Sequence, residues 1–127
     1  MDRVLWAGVG GFIGAALRVA LGSALARAKG SSIFPLETLV INVMGCLAIG
    51  VFGSLADERG LITGVARVFV IAGVLGGFTT YSAFGYETFQ LLRNGQAVAA
   101  LGSVSLQLVL GLAAVWAGAA IVRVAWS

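Results

Sequence analysis

Apolar residues fill four long stretches of the chain, and polar or charged residues gather in the three short gaps between them. The stretches run over about 4–26, 36–56, 65–92 and 97–126. Each supplies the roughly 20 mostly apolar residues that carry a helix across a bilayer. The gaps at 27–34, 57–64 and 93–96 leave no room for a second domain, and no internal repeat is visible. The pattern predicts an all-α membrane protein, a single four-helix transmembrane domain over 1–127. Pro35 stands where the second helix begins, a position that tolerates its missing N–H.

The third stretch is the irregular one. Its middle reads Gly73-Val74-Leu75-Gly76-Gly77-Phe78-Thr79-Thr80-Tyr81-Ser82-Ala83-Phe84. Glycine weakens a helix by about 1 kcal/mol against Ala, and Gly76-Gly77 beside Thr79-Thr80 predicts a break near mid-membrane. In hydrocarbon an unpaired backbone group costs several kcal/mol, so a helix breaks only against protein or a cavity. A spanning helix interrupted at mid-depth is a common way to present backbone dipoles to an ion. Permeation is therefore the function the pattern suggests.

Composition agrees with the membrane reading. Of the 127 residues 60% are hydrophobic and 10% charged, and the mean hydropathy is +1.04. Soluble domains carry about 25% charged residues. The 19 glycines, with no collagen period, suit close helix packing in lipid. The net charge of +3 sits at segment ends as headgroup anchors rather than in a patch that would bind nucleic acid. Cys46, the single cysteine, lies in an apolar run and reads as a small packing residue. With no histidine and no acidic cluster, nothing supports a metal site built from side chains. Trp6, Trp116 and Trp126 read as interfacial or lipid-facing. A secretory signal peptide is the rival reading of the amino terminus; the length of the apolar run and Arg18 within it argue against that.

Four spans place Arg3, Arg59, Arg67 and Arg123 on one side of the membrane. Arg27, Lys29 and Arg93 fall on the other, with Arg18 facing that way from inside the first helix. The positive-inside rule needs an excess on one side to fix orientation, and here it has almost nothing to act on. A chain that inserts both ways round forms an antiparallel dual-topology homodimer, which is the expectation. Gly8, Gly10, Gly11 and Gly14 of the first helix would let neighbours approach closely.

Polar residues inside the spans are few. Asn42 is flanked by Ile41, Val43 and Met44, and its amide either bonds a neighbouring helix or lines a wet path. Beyond the break, Thr80, Phe84 and Glu87 share roughly one helical face, and Tyr81, Phe84 and Thr88 an overlapping one. Aromatic rings have a positive edge, which can accompany an anion without trapping it. Ser103 and Gln107 share a face of the fourth helix, with Gly111 following. Such neutral donors can replace water around a small anion, whereas a buried lysine would hold it too tightly for conduction. Glu87 is the exception: it is protonated, points to the mouth, or donates along the path when neutral.

Three motifs resemble the Fluc/CrcB family of fluoride channels. They are Gly10-Gly11-Phe12-Ile13-Gly14-Ala15-Ala16-Leu17-Arg18, then Thr38-Leu39-Val40-Ile41-Asn42-Val43-Met44-Gly45, then Gly76-Gly77-Phe78-Thr79-Thr80-Tyr81-Ser82-Ala83-Phe84. Length, span number and motif order match over essentially the whole chain, and the third motif is the most specific. The resemblance implies an antiparallel homodimer in a bacterial-type inner membrane, with two pores that export fluoride passively from the cytoplasm and relieve its toxicity. It implies that Asn42 lines each pore and that Tyr81 and Phe84 offer ring edges to fluoride. Thr80, Ser82, Glu87, Ser103 and Gln107 would form a polar track. Carbonyls of Gly76 and Thr79 from both subunits would hold a structural sodium ion, a hard cation suited to oxygen ligands. Arg18 would be a vestibule or structural residue. Three positions depart from the pattern: Tyr81 where Phe is usual, Glu37 where glycine is common, and Gln107 where serine is commoner.

The alternative is a proton-coupled exporter of the small multidrug-resistance type. That chemistry needs a carboxylate embedded in the first span, and residues 4–26 contain none. An enzyme is not expected, because no nucleophile–base pair or cofactor loop can be drawn.

Overall fold

The computed structural model describes all 127 residues and is entirely helical. Helix α1 covers Asp2–Lys29 and α2 covers Leu36–Asp57. The third span, Gly64–Arg93, is interrupted. It comprises α3 (Gly64–Arg67), a π-helical segment (Val68–Leu75), α4 (Gly76–Phe78), two extended residues, and α5 (Tyr81–Arg93). Helix α6 covers Ala97–Ala125. All four spans are long and apolar enough to cross a membrane. The observed helices begin and end up to three residues from the expected bounds, so Trp126 falls just past α6. Helix α1 stops at Gly30, whose φ of 69° lies in the left-handed region that favours glycine.

Two helix pairs build the protomer. Helix α1 lies along the π segment and α4, and α2 lies along α6. Glycine sets both distances. A Cβ on Gly10 would sit 2.5 Å from the Phe69 carbonyl oxygen and 2.9 Å from Gly73 Cα. One on Gly77 would sit 2.5 Å from the Gly11 oxygen. On the other pair, a Cβ on Gly118 would strike the Leu47 carbonyl and come within 2.8 Å of Val51 N. Backbones this close gain dispersion contact that lipid cannot offer equally. Trp6 adds an edge contact with Phe69, centroids 5.9 Å apart at 84°.

The break falls where threonine, not glycine, stands. Gly76 and Gly77 remain helical in α4, while Thr79 (ψ 159°) and Thr80 (ψ 119°) are extended. Of the two glycines expected to weaken the helix, Gly77 instead lets α4 reach α1. The π segment ahead of them had no signal in the apolar run Val68–Leu75. Such wide turns are rare and collect at functional sites. Of the first-helix glycines, a Cβ on Gly10 or Gly14 would strike the third span, whereas one on Gly8 or Gly11 meets nothing within 4 Å.

Only 18 of 127 residues are buried, so most apolar side chains point outward to whatever apolar medium surrounds the protomer. The protein is therefore a multi-pass membrane protein.

A Cβ at Gly14 would overlap the Val74 carbonyl oxygen and lie 2.7 Å from Phe78 N, both backbone atoms that cannot swing away. Gly14→Ala should lower stability by about 1–3 kcal/mol, and Gly8→Ala should be neutral or slightly stabilising. Thermal melting of the two detergent-solubilised variants checks this; equal melting temperatures would refute the packing account.

Candidate functional site

Two extended residues in a spanning helix leave main-chain groups without their i→i−4 partners, and each must find another. The first half closes itself: Thr79 N–H donates to the Leu75 carbonyl at 3.1 Å, and Thr79 Oγ1 donates to the same oxygen at 3.0 Å. Thr80 is served by α2. Its N–H donates to Asn42 Oδ1 at 2.9 Å, and its carbonyl accepts from Asn42 Nδ2 at 3.0 Å. One side-chain amide thus pairs with both polar groups of Thr80, as a neighbouring strand would. Thr80 Oγ1 then caps α5 by accepting from Ala83 N–H at 3.3 Å.

Room for this arrangement comes from Gly45, one turn after Asn42. A Cβ there would collide with the Thr79 methyl. Arg18, from α1, donates through Nε to the Gly77 carbonyl at 3.1 Å. The bond caps the end of α4 across the helix pair. The carbonyls of Gly76, Phe78 and Thr79 accept no hydrogen bond, main-chain or side-chain.

Asn42 also reaches α6, donating from Nδ2 to Gln107 Oε1 at 3.2 Å. The amide thus bonds neighbouring segments, one of the two readings open for it, and it also borders a hollow. That hollow, about 390 Å³, is bounded by Asn42, Thr79, Thr80, Tyr81, Phe84 and Gln107, with Cys46, Leu75 and Ile49 on its apolar side. The rings of Tyr81 and Phe84 stand 5.9 Å apart, tilted by 53°. Tyr81 is 85% exposed and projects out of the protomer, while Phe84 is half-buried. Ser82 is exposed, its hydroxyl 3.4 Å from that of Thr80.

A second hollow, about 470 Å³, opens at the end of the bundle where the first and third connectors lie. Glu37, Lys29 and Glu87 line it, with Gln90, Asn94 and Gln96 nearer the connector. Lys29 Nζ donates to Glu37 Oε2 at 2.7 Å and to the Phe34 carbonyl at 2.9 Å. Glu87 Oε1 accepts from Thr38 Oγ1 at 2.7 Å. Its Oε2 is buried without a partner, as are Ser103 Oγ and Gln107 Nε2. Glu87 thus borders this hollow and bonds α2 at once.

The sequence-selected residues are gathered unevenly. Asn42, Thr80 and Gln107 form one bonded cluster, Ser82 joins it through Thr80, and Glu87 stands apart with Thr38. Ser103 is buried with no bond at all. Thr38 was not among the expected site residues. Its signal was present, since Thr38 and Asn42 are four apart and share a helix face. The Lys29–Glu37 pair had no such signal, because it spans a connector whose path the sequence does not encode by periodicity.

Asn42→Ala would strip both polar groups of Thr80 of their partner. Each unsatisfied buried group costs about 1–3 kcal/mol, so the variant should melt well below the parent in detergent. Asn42→Asp keeps an acceptor for the Thr80 N–H and should fall between the two. An unchanged melting temperature for Asn42→Ala would show that the break does not depend on this amide.

Comparison with known proteins finds relatives along nearly the whole chain. Positions 5–119 match the family described as CrcB-like protein, Camphor Resistance (CrcB). A protein of Methylobacillus flagellatus named fluoride-specific ion channel FluC is 40% identical over 123 residues, covering 97% of this chain and 96% of its own. Proteins of the same name from Rhizobium etli and Opitutus terrae are 42% and 44% identical over 97% and 93% of this chain, and over 98% and 90% of their own length. An all-helical, membrane-spanning architecture, a third span interrupted at Thr79-Thr80 and near-complete alignment agree: the chain belongs to the CrcB-like family.

Proposed function

We propose that the protein is a passive fluoride channel, exporting the anion from the cytoplasm through two pores in an antiparallel homodimer. The observation that carries this reading is the set of buried, unpartnered polar atoms, Glu87 Oε2, Ser103 Oγ and Gln107 Nε2, inside an apolar bundle. Stranded polar groups are costly in hydrocarbon unless they line a wet or ion-bearing path. Relatives that carry the name fluoride-specific ion channel lend it independent support.

The pathway is drawn from the mouth inward. Lys29 and Glu37 flank the entrance; Glu87, Thr38, Ser103 and Gln107 form a polar track; Thr80 and Ser82 add hydroxyls. Phe84 and Tyr81 offer ring edges to an ion that has shed water. No formal positive charge stands beside these rings, which keeps binding weak enough for exit. Tyr81, mostly exposed, would complete the path from one protomer into its partner.

The dimer reading rests on the near balance of basic residues between the two faces. It rests as well on the outward apolar surface around the break. Two breaks facing across a two-fold axis would bring together carbonyls that accept nothing here. Gly76 and Thr79 supply such oxygens, and an all-oxygen, uncharged donor set suits a sodium ion. That ion would be structural, fixing the two breaks against each other, and no permeation step is assigned to it.

Purified protein in liposomes should release fluoride far faster than chloride with no proton or sodium gradient imposed. Efflux that proceeds only under a proton gradient would overturn the channel reading. In the same assay Phe84→Ile should lower flux about fivefold, the equivalent of roughly 1 kcal/mol of ring-edge contact. Orientation is checked separately. A cysteine introduced at Asp2, in a Cys46→Ser background, should be labelled by an impermeant thiol reagent from both faces of right-side-out vesicles, about half the chains from each. Labelling from one face alone would refute dual insertion.

A further inference from the structure

We propose that Glu37 sets the charge at the mouth of the pathway: by cancelling Lys29 it limits how fast small anions enter. The inference rests on the fluoride pathway proposed above and concerns its entrance, not the residues beside the break.

The hollow at the connector end measures about 470 Å³, and its ionisable lining side chains are Lys29, Glu37 and Glu87. Arg93, at the end of α5, lies over the Phe89 ring, 5.9 Å from its centroid, and does not line the hollow. Lys29 is thus the one cation that an entering anion meets there. Its ammonium has three N–H donors. Two are used, on Glu37 Oε2 at 2.7 Å and on the Phe34 carbonyl at 2.9 Å. The third has no protein acceptor.

Position makes the pair matter. Glu37 lies in the first turn of α2, five residues before Asn42 and so about 7.5 Å further out along the helix axis. Thr38, the next residue, holds Glu87. Lys29 and Glu37 therefore stand outside the polar track, on the side from which an anion arrives. Their side chains are only 15% and 22% exposed. Charges so enclosed are screened less than a pair on an open surface.

The sign of the effect follows from the charges. A free ammonium is a compact point charge, so it gathers every small anion and distinguishes none of them. A carboxylate at 2.7 Å turns that charge into a short dipole whose field fades quickly with distance. The entrance then holds no free cation, and discrimination falls to the uncharged donors further in. Anion supply is slower as a result. Removing the Glu37 charge makes the mouth one unit more positive, whatever the state of Glu87. One unit charge about 6 Å away in water changes local anion concentration about threefold at low salt. At 1 M salt, where the Debye length is about 3 Å, the same charge has almost no reach.

A purely structural role for the pair has a different signature. Lys29 joins the end of α1 to Phe34 and Glu37, and so ties down the first connector beside the hollow. Loosening that tie from either end would move flux in one direction, and salt would not remove the change. Glu37→Gln keeps an oxygen for Lys29 and removes only the charge.

The test is fluoride efflux from liposomes holding the full-length protein, at fluoride low enough for flux to rise in proportion to its concentration. Ionic strength is set to about 10 mM or about 1 M with potassium gluconate on both faces. At low salt Glu37→Gln should speed efflux about threefold, and Lys29→Gln should slow it by about the same factor. The two shifts should cancel in the double variant, and at high salt all four proteins should agree. Single variants that move efflux the same way would overturn the inference. So would a Glu37→Gln effect that is absent at low salt or survives high salt. If Glu37→Gln yields no folded protein by gel filtration, Lys29→Gln decides: it must slow efflux at low salt and match the parent at high salt. No efflux from the parent would overturn the channel reading and this inference together. Parent efflux without the opposed shifts would overturn this inference alone.

Discussion

The structure depends on satisfying one broken helix in a medium that offers no water. Thr79 and Thr80 take the third span out of helical register, and part of what this frees is met by residues from neighbouring spans. Asn42 on α2 pairs with Thr80 and donates to Gln107 on α6, and Arg18 on α1 takes the Gly77 carbonyl. Because the partners come from three helices, the break can exist only in the assembled bundle. The defect that would destabilise an isolated helix therefore specifies how the four spans must meet.

Close approach is the condition for that arrangement. A side-chain amide can mimic a strand only when its helix lies near the extended residues, and Gly45 supplies the clearance for Thr79. On the opposite side, glycine against glycine lets α1 sit on the π segment and α4, which brings the Arg18 side chain within reach of Gly77. The glycines are thus less a cause of the break than the reason neighbours can mend it.

How much of this was legible in the sequence follows from the length scale of each feature. Four spans were plain, because hydropathy over about 20 residues is a summed signal and bounds shift only by a turn. The break was legible to within a few residues, but its cause was misplaced. Glycine propensity is measured in exposed helices, and Gly77 sits against α1, where packing outweighs propensity. Asn42, Thr80 and Gln107 stood out as polar residues in apolar runs, yet their bonding could not be read, since it joins positions 38 and 65 apart. The π segment and the Lys29–Glu37 pair had no periodic trace. Local signals located the polar residues, and only tertiary geometry decided which of their hydrogens are free.

Charge is distributed by the same economy of water. Formal charges pair at the bundle ends, Lys29 with Glu37 at 2.7 Å and, near the other connector, Arg67 with Asp57 at 2.7 Å. Between them stand Arg18 on the Gly77 carbonyl and Glu87 on Thr38, and the other polar groups are amides and hydroxyls. A buried cation would attract an anion strongly but would release it slowly, and would carry a desolvation penalty whenever the site stood empty. A neutral donor left unbonded carries a smaller penalty, and an arriving anion relieves it without being trapped. On the proposed pathway the unpartnered Ser103 Oγ and Gln107 Nε2 would be donors of this kind. In a protein built only for stability such groups would be defects. In one that must bind an ion briefly and pass it on, a moderate and recoverable cost at each step is what conduction requires.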